Sequence, residues 1–179
     1  MHGSVNSFIQ KHLRKADVFN QTVLEVGSRN INGSVRDIIL PFQPEQYIGT
    51  DMEAGDGVDV VLNALDLVTM YGEESFDIVV CAEMLEHCEH WKGAIANMKS
   101  VLKPGGMILL TTRSPGYPLH EYPSDYWRFT RSDMVNIFED FYIRTFDDPS
   151  CSGVFVVGVK PNNWVSADLS NFEVGKVGQ

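Results

Sequence analysis

The chain has 179 residues, of which 44% are hydrophobic and 21% charged, and this composition suits one soluble domain with a sizeable core. Its formal net charge of −10 disfavours non-specific attraction to nucleic acid or anionic membranes, so we expect neither as a partner. No apolar run approaches the roughly 20 residues that cross a bilayer, and residues 1–15 lack the apolar region of a signal peptide. Cys81, Cys88 and Cys151 match neither a disulfide framework nor a paired zinc site, so we expect reduced thiols and a cytoplasmic location.

Apolar, strand-like runs alternate with helix-like segments along the first two thirds of the chain, and this rhythm predicts a parallel sheet with crossover helices. The predicted strands are TVLEVG, QYIGTD, VDVVLN, FDIVVCA and MILLTTR, at residues 22–27, 46–51, 58–63, 76–82 and 107–113. Helices are predicted within SVRDIILPF, ALDLVTMYG and HWKGAIANMKSVLKPGG, the last ending before Gly105. The near-continuous Val, Ile and Leu content of the strands indicates a sheet that is covered on both faces.

The rest of the chain predicts a loop, a helix, two strands and a tail. A loop over residues 114–130 is followed by a helix in RSDMVNIFEDF that begins near Arg131 or Ser132, and by strands in FYIRTFDD and SGVFVVGVK. Residues 161–179 show no periodicity and predict a weakly ordered tail after a single domain of residues 1–160.

Polar and glycine residues mark the ends of the predicted strands. Ligands of open parallel sheets bind beyond the carboxyl ends of the strands, where strand order reverses. Gly27 permits a sharp turn after the first strand, which would bring backbone N–H groups near a ligand. Asp51 ends the second strand, where its carboxylate can accept both hydroxyls of an adenosine ribose. NAD and S-adenosylmethionine both carry that ribose.

The turn after Gly27 distinguishes these two cofactors. A pyrophosphate needs bare backbone close to it, and Arg29 occupies the position where a second glycine is expected. The amino-acid carboxylate of S-adenosylmethionine, in contrast, can meet an arginine side chain or a backbone N–H. The turn therefore favours S-adenosylmethionine over a dinucleotide.

Four segments in this order resemble a known family. VLEVGS, YIGTD, FDIVVCAEMLEH and LKPGGMILLTT, within residues 22–113, are similar to the motifs of class I S-adenosylmethionine-dependent methyltransferases of the type 11 group. The resemblance implies a Rossmann-like, doubly wound α/β fold: a seven-stranded, mostly parallel sheet between two helical layers, with SGVFVVGVK as its antiparallel last strand. The chain departs from the family's GxGxG pattern, because it reads GSRNING over residues 27–33.

The resemblance also implies a set of cofactor contacts. They are Glu25, Gly27, Ser28, Arg29, Asp51, Met52, Asn63, Ala64, Cys81, Ala82 and Glu83. Structural roles compete with some of these assignments: Glu25 could accept hydrogen bonds from turn N–H groups, Asp51 could cap a helix, and Asn63 with Asp66 could cap the next one.

The loop over residues 114–130 follows the fifth predicted strand and should lie over the ligand end of the sheet. Its length and its Pro, Tyr and His content are typical of a binding loop, although its aromatic residues could instead fill the core. A DYWRFT element resembles that of related methyltransferases associated with saccharide or cell-envelope synthesis. The predicted acceptor-binding residues are His120, Tyr122, Asp125, Tyr126, Trp127 and Arg128.

The predicted activity is methyl transfer from S-adenosylmethionine to a small-molecule acceptor, by a monomer or homodimer. His120 is the first candidate for a general base, followed by His87 and Glu83. The main alternative is a non-catalytic S-adenosylmethionine binder that regulates a partner. An open cleft would favour the enzyme, and a cleft filled by Tyr126 and Trp127 would favour the binder.

The segment CAEMLEHCEHW also has a spacing that a metal site could use. Glu83, Glu86, His87 and His90 would share one face of a helix that began there. A metal site further needs convergent geometry and supporting hydrogen bonds, which the spacing alone does not provide. From the sequence we therefore expect no metal.

Overall fold

The computed structural model describes residues 3–120 and 124–177 and contains a seven-stranded sheet between two layers of helices. The strands are β1 (Thr22–Val26), β2 (Gln46–Asp51), β3 (Val60–Val61), β4 (Phe76–Ala82), β5 (Leu102–Arg113), β7 (Tyr142–Asp147) and β8 (Gly153–Val159). Their order is β3-β2-β1-β4-β5-β8-β7. Strands β1 to β5 pair in parallel, and β8 runs antiparallel between β5 and β7. The predicted Rossmann-like fold is confirmed, including its antiparallel last strand.

Six helices cover the faces of this sheet within the described residues: α1 (Gly3–His12), α2 (Lys15–Val18), α3 (Arg36–Ile39), α4 (Leu67–Tyr71), α5 (Trp91–Val101) and α6 (Arg131–Ile137). One apolar cluster joins α1, α2 and α3 to one face, and the other joins α4, α5 and α6 to the opposite face. Strands that are buried on both sides therefore need nearly continuous apolar sequence. No helix among the described residues is long and apolar enough to cross a membrane.

One strand is shorter than predicted and one helix begins where it was predicted to begin, both for local reasons. The third strand shrinks to Val60–Val61, because it lies at the sheet edge and pairs only with the end of β2. Helix α6 begins at Arg131 because Thr130 caps it: Thr130 Oγ1 accepts from the Asp133 N–H, and the Asp133 carboxylate accepts from the Thr130 N–H.

The segment after β8 packs against the domain instead of leaving it. Trp164, Leu169, Phe172 and Val174 contact the core on the α5 side, and a short strand β9 (Gly175–Lys176) pairs with β6 (Trp127–Arg128). This packing differs from the expectation of a weakly ordered tail. The sequence did not indicate it, because the apolar residues of this segment follow no helical or strand period.

A buried ion pair connects the C-terminal segment to α5. Lys99 Nζ lies 2.6 Å from Asp140 Oδ1, and both side chains are almost fully buried. Asp140 Oδ2 also accepts from Trp164 Nε1 at 2.8 Å and from the Ala167 N–H at 3.2 Å. Burial lowers the pKa of Lys99, and Asp140 opposes that shift. The carboxylate thus supports both α5 and the C-terminal segment.

We expect Asp140→Asn to lower the free energy of unfolding by about 3 kcal/mol, because it leaves the Lys99 ammonium buried without an opposite charge. Urea unfolding at neutral pH measures this change. Asp147→Asn is the matched control, since Asp147 pairs with Arg131 at the exposed surface, and its effect should stay within about 0.5 kcal/mol. Equal effects of the two substitutions would contradict the assignment.

Candidate functional site

A cleft of about 350 Å³ opens at the carboxyl ends of β1, β2, β4 and β5. Strand β1 pairs with β2 on one side and with β4 on the other, so the cleft lies where the strand order reverses. The predicted residues that line it are Glu25, Gly27, Ser28, Arg29, Asp51, Met52, Asn63, Ala64, Ala82, Glu83, His87 and His120. The structure therefore brings most of the predicted cofactor residues together with all three candidate bases, His120, His87 and Glu83.

The turn after β1 requires a glycine at position 27. Gly27 has a φ of 79°, and a Cβ there would lie 2.6 Å from the side chain of Met84. The N–H groups of Gly27 and Ser28 both donate to the Thr50 carbonyl oxygen, at 2.8 and 3.0 Å. These two N–H groups thus hold the turn against β2, whereas the sequence suggested that they face a ligand.

Arg29 and Asn30 attach the turn to the segment that follows β2. The Arg29 guanidinium pairs with the Glu53 carboxylate. Asn30 Nδ2 donates to Asp56 Oδ2 at 2.8 Å, and the Asn30 N–H donates to the Asp56 carbonyl oxygen at 2.8 Å. Side-chain contacts therefore close the turn where the family pattern has glycines.

Asp51 presents its carboxylate to the cleft at the end of β2. Its Oδ2 accepts from the Arg29 N–H at 3.2 Å, and its Oδ1 accepts from the Glu53 N–H at 3.1 Å. Each carboxylate oxygen has two lone-pair directions, so each can accept a further hydrogen bond. Asp51 can consequently receive two hydroxyls while the backbone holds its orientation.

Glu25 lies buried at the base of the cleft, on β1. Tyr47 Oη donates to Glu25 Oε2 at 2.5 Å. Burial raises the pKa of Glu25 to about 7, although the Tyr47 hydrogen bond opposes the shift. The Glu25 carboxyl group is therefore partly protonated near neutral pH.

Apolar side chains and a helix-capping residue also line the cleft. Ile31 and Met52 are 54% and 58% exposed, and both line the cleft with Leu62. Asn63 Oδ1 accepts from the Leu65 N–H at 3.0 Å and caps the short helical turn at Ala64–Asp66. The capping alternative for Asn63 is thus realised, while the residue still lines the cleft.

The exit of β4 is held by a buried arginine. Glu83 has a φ of 57°, which a non-glycine residue keeps only where its surroundings impose it. Its Oε1 accepts from Thr111 Oγ1 at 2.8 Å, and its Oε2 pairs with the Arg113 guanidinium. Arg113 is 1% exposed and lies 3.3 Å from Asp148 Oδ2 as well. Cys81, on β4 two residues before Glu83, is fully buried and does not line the cleft.

Two imidazoles, of His87 and His120, line the cleft in the segments that follow β4 and β5, whereas Asp51 lies at the end of β2. The rings of His87 and His120 lie 4.7 Å apart in an edge contact, and His87 Nδ1 donates to the Ser124 carbonyl oxygen. His120 Nδ1 is 3.1 Å from Asp125 Oδ2, and burial lowers the pKa of His120 although Asp125 opposes the shift. His120 is therefore mainly neutral at physiological pH and can accept a proton.

The remaining predicted acceptor residues support the loop from outside the cleft. Arg128 donates to Asp125 Oδ2 at 2.7 Å and to the Pro118 carbonyl oxygen at 3.1 Å, and this pair holds the pKa of Asp125 at about 2. Trp127 Nε1 donates to the Cys88 carbonyl oxygen at 2.9 Å, and the Tyr126 N–H donates to that of Glu86. Tyr122 lies outside the described residues.

Several lining residues were not predicted as site residues: Ile31, Leu62, Met84, Cys88, Arg113 and Tyr117. Arg113 carried a usable signal, because it ends β5 at the same edge of the sheet as Asp51 and Glu83. Tyr117 carried none, since its position depends on the path of the loop. Its ring lies 4.4 Å from the Arg113 guanidinium and 5.1 Å from the His120 ring.

Residues 31–110 match a family model described as a methyltransferase domain. Among curated proteins, the ubiquinone biosynthesis O-methyltransferase of Idiomarina loihiensis is 29% identical over 118 residues, which are 59% of this chain and 46% of that protein. The Xanthomonas euvesicatoria enzyme of the same name is 38% identical over 61 residues, 34% of this chain and 26% of that protein. The chain thus spans under half the length of these relatives.

Solved structures show the same fold at low sequence identity. The 1,6-didemethyltoxoflavin-N1-methyltransferase of Burkholderia thailandensis has a TM-score of 0.70 and 15% identity, covering 89% of this chain and 77% of that one. The phosphoethanolamine N-methyltransferase 2 of Haemonchus contortus has a TM-score of 0.66 and 17% identity, covering 87% of this chain and 52% of that one. The methyltransferase-domain match, the order of the motifs and this architecture together make the chain similar to the class I S-adenosylmethionine-dependent methyltransferases.

Proposed function

We propose that the protein transfers the methyl group of S-adenosylmethionine to a hydroxyl group of a small-molecule acceptor. One observation carries this proposal: a single cleft extends from Asp51 at the end of β2 to the imidazoles of His87 and His120. A cofactor bound at the first end and an acceptor bound at the second would meet in one water-restricted space.

The geometry at the Asp51 end suits the adenosine part of the cofactor. Asp51 receives the two ribose hydroxyls, and the apolar surfaces of Ile31, Met52 and Leu62 flank the adenine ring. The methionine part extends past Gly27 and Glu25 toward the exit of β4. The methyl group then points to the end that His87 and His120 occupy.

The reaction is an in-line displacement at the methyl carbon. A lone pair of the acceptor oxygen forms the new C–O bond, while the C–S bond breaks and its electron pair stays on sulfur. S-adenosylhomocysteine leaves, and the hydroxyl proton passes to His120, the nearest imidazole of the binding loop. An oxygen acceptor is favoured because His120 is neutral and hydroxyls need deprotonation, and the curated relatives named above are O-methyltransferases.

The position of the aromatic residues bears on the alternative of a non-catalytic binder. Tyr126 and Trp127 do not line the cleft, whereas the polar groups of Tyr117 and His120 do. Space beside the cofactor end is thus available to an acceptor, which supports the enzyme. A saccharide or envelope precursor as this acceptor stays a prediction from the DYWRFT element.

We expect Asp51→Asn to weaken binding of S-adenosylmethionine by about tenfold or more, because hydrogen bonds to a charged acceptor contribute roughly 1.5–3 kcal/mol each. Thermal unfolding measures binding, since a ligand at 100 times its Kd stabilises the fold by about 2.7 kcal/mol. Asp37→Asn, at an exposed site on α3, is the control and should respond like the wild type. A shift with NAD but none with S-adenosylmethionine would refute the cofactor assignment.

We expect His120→Ala to lower turnover by about 10²- to 10⁴-fold while the affinity for S-adenosylmethionine stays within about twofold. In the wild type, turnover should rise with pH through a pKa below 6.5, because only neutral imidazole accepts the proton. His90→Ala, at an exposed position, should leave both quantities unchanged. Full activity of the His120 variant would remove this residue from the mechanism.

We expect Glu25→Gln to stabilise the ligand-free protein in a pH-dependent way. The folded pKa of Glu25, about 7, exceeds its usual value of 4.5, so the folded state holds the proton more tightly. The wild type therefore loses stability between about pH 4.5 and pH 7, and the cost stays constant above that range. The gain of the variant should be near zero at pH 4.5 and reach about 3 kcal/mol at pH 8.

Urea unfolding across this pH range measures the difference, and Glu45→Gln at an exposed site is the control. The glutamine side chain keeps an oxygen that can accept from Tyr47, so the hydrogen bond does not account for the change. A gain that is independent of pH would contradict the burial argument.

A further inference from the structure

Glu86, His87 and His120 lie close together beside the cleft. Each offers one potential ligand atom, and these three atoms all lie within 4.8 Å of one another. We propose that these three side chains bind a divalent transition-metal ion of the zinc class. The site combines a short helical turn after β4 (Leu85–His87) with the loop after β5. Glu86 and His87 are neighbours in sequence, and only the loop brings His120 to them.

Glu86 contributes the strongest single observation. Its side chain is fully buried, and Thr112 Oγ1 donates to Oε2 at 2.7 Å. Among residues 3–120 and 124–177 its Oε1 has no hydrogen-bond partner, and it lies 3.9 Å from His87 Nε2. Burying an unsatisfied carboxylate oxygen is costly unless a hydrogen bond or a cation compensates it. A metal ion between Oε1 and the imidazoles supplies that compensation.

The ring of His87 already has a supporting hydrogen bond of the kind that metal ligands need, and the backbone of His120 is held in place. His87 Nδ1 donates to the Ser124 carbonyl oxygen, which leaves Nε2 unprotonated on the side of Glu86. Histidine ligands in proteins are oriented by this kind of second hydrogen bond. The backbone N–H of His120 donates to Asp125 Oδ2 at 2.9 Å. The carboxylate that Arg128 orients therefore also positions the His120 backbone.

The ligand types select the class of metal. Two imidazoles and one carboxylate suit zinc, iron, cobalt or nickel better than magnesium or calcium, which prefer all-oxygen sites. Glu83 does not compete, since Thr111 and Arg113 occupy its two oxygens. Three protein ligands leave at least one coordination position open, as in catalytic rather than structural zinc sites.

The open position faces the space that the acceptor would fill, and this consequence rests on the proposed function. An acceptor hydroxyl that coordinates the metal has a lower pKa, so it releases its proton to solvent before its oxygen attacks the methyl carbon. With the metal bound, His120 is a ligand, so the proton that the metal-free protein passes to His120 goes to solvent instead. The C–S bond still breaks with its electron pair on sulfur, and the metal keeps its oxidation state.

The expectation of no metal came from residues 83–90 alone. Within that segment His90 is exposed and Glu83 is held by Arg113, so the linear spacing does not build a site. In the structure the third residue beside Glu86 and His87 is His120, which lies 33 positions beyond His87 in the sequence.

Equilibrium dialysis of the chelator-stripped, full-length protein against Zn²⁺ at neutral pH tests the site, with metal analysis and with Co²⁺ absorption spectra as a second readout. We expect one tightly held ion per chain and Co²⁺ bands typical of nitrogen and oxygen ligands. His120→Ala and Glu86→Gln should weaken binding at least about tenfold. His90→Ala is the matched control and should bind as the wild type does.

Weak binding of several ions that His120→Ala leaves unchanged would overturn the proposal, since it would indicate adsorption to exposed acidic side chains. Absence of binding to the wild type would overturn it as well. Should Glu86→Gln fail to fold, His120→Ala decides, because its loop position makes it independent of the core. S-adenosylmethionine binding by the metal-free protein is measured in parallel by thermal unfolding, so failure of the cofactor site is distinguished from failure of the metal site.

Discussion

The end of the sheet that carries the cleft depends on the contacts of one buried group, the guanidinium of Arg113. It ends β5 between the carboxylates of Glu83 and Asp148, with the ring of Tyr117 stacked 4.4 Å away. Asp148 in turn accepts from Ser4 Oγ of α1 and from the Ser150 N–H. A buried cation is tolerated only when opposite charges and hydrogen bonds surround it, so these groups have little freedom to move apart. One side chain thereby joins the exits of β4 and β5, the binding loop and the first helix.

The loop after β5 extends this charged arrangement to His120. Arg128 and Asp125 form a second buried pair, and Asp125 in turn holds the backbone of His120. The indole of Trp127 is bonded to the Cys88 carbonyl oxygen, and β9 pairs with β6 behind it. The aromatic and charged residues of DYWRFT thus position His120 and Tyr117 beside the cleft without lining it themselves.

The turn after β1 shows how side-chain contacts can hold a turn that lacks one of the family's glycines. Glycine-rich turns leave backbone room for a ligand, and in this turn glycines stand only at positions 27 and 33, both with a positive φ. Arg29 and Asn30 instead use their side chains to bind Glu53 and Asp56, which fixes the segment after β2. Asp51 gains its orientation from the same contacts, because the Arg29 N–H donates to its carboxylate. The atypical turn therefore holds the Asp51 carboxylate in the cleft at the end of β2.

The sequence by itself determined the sheet, its two covered faces and the ends of the strands where Gly27 and Asp51 lie, because hydrophobic periodicity and strand termini are local properties. Tertiary structure decided which side chains of the loop reach the cleft, since His120 enters it while Tyr126 and Trp127 do not. It also decided that Glu83 is held by Arg113, and that the C-terminal segment packs on α5 through Asp140. These contacts join residues from 24 to 41 positions apart, and no local pattern encodes a contact whose partners meet only after the sheet has formed.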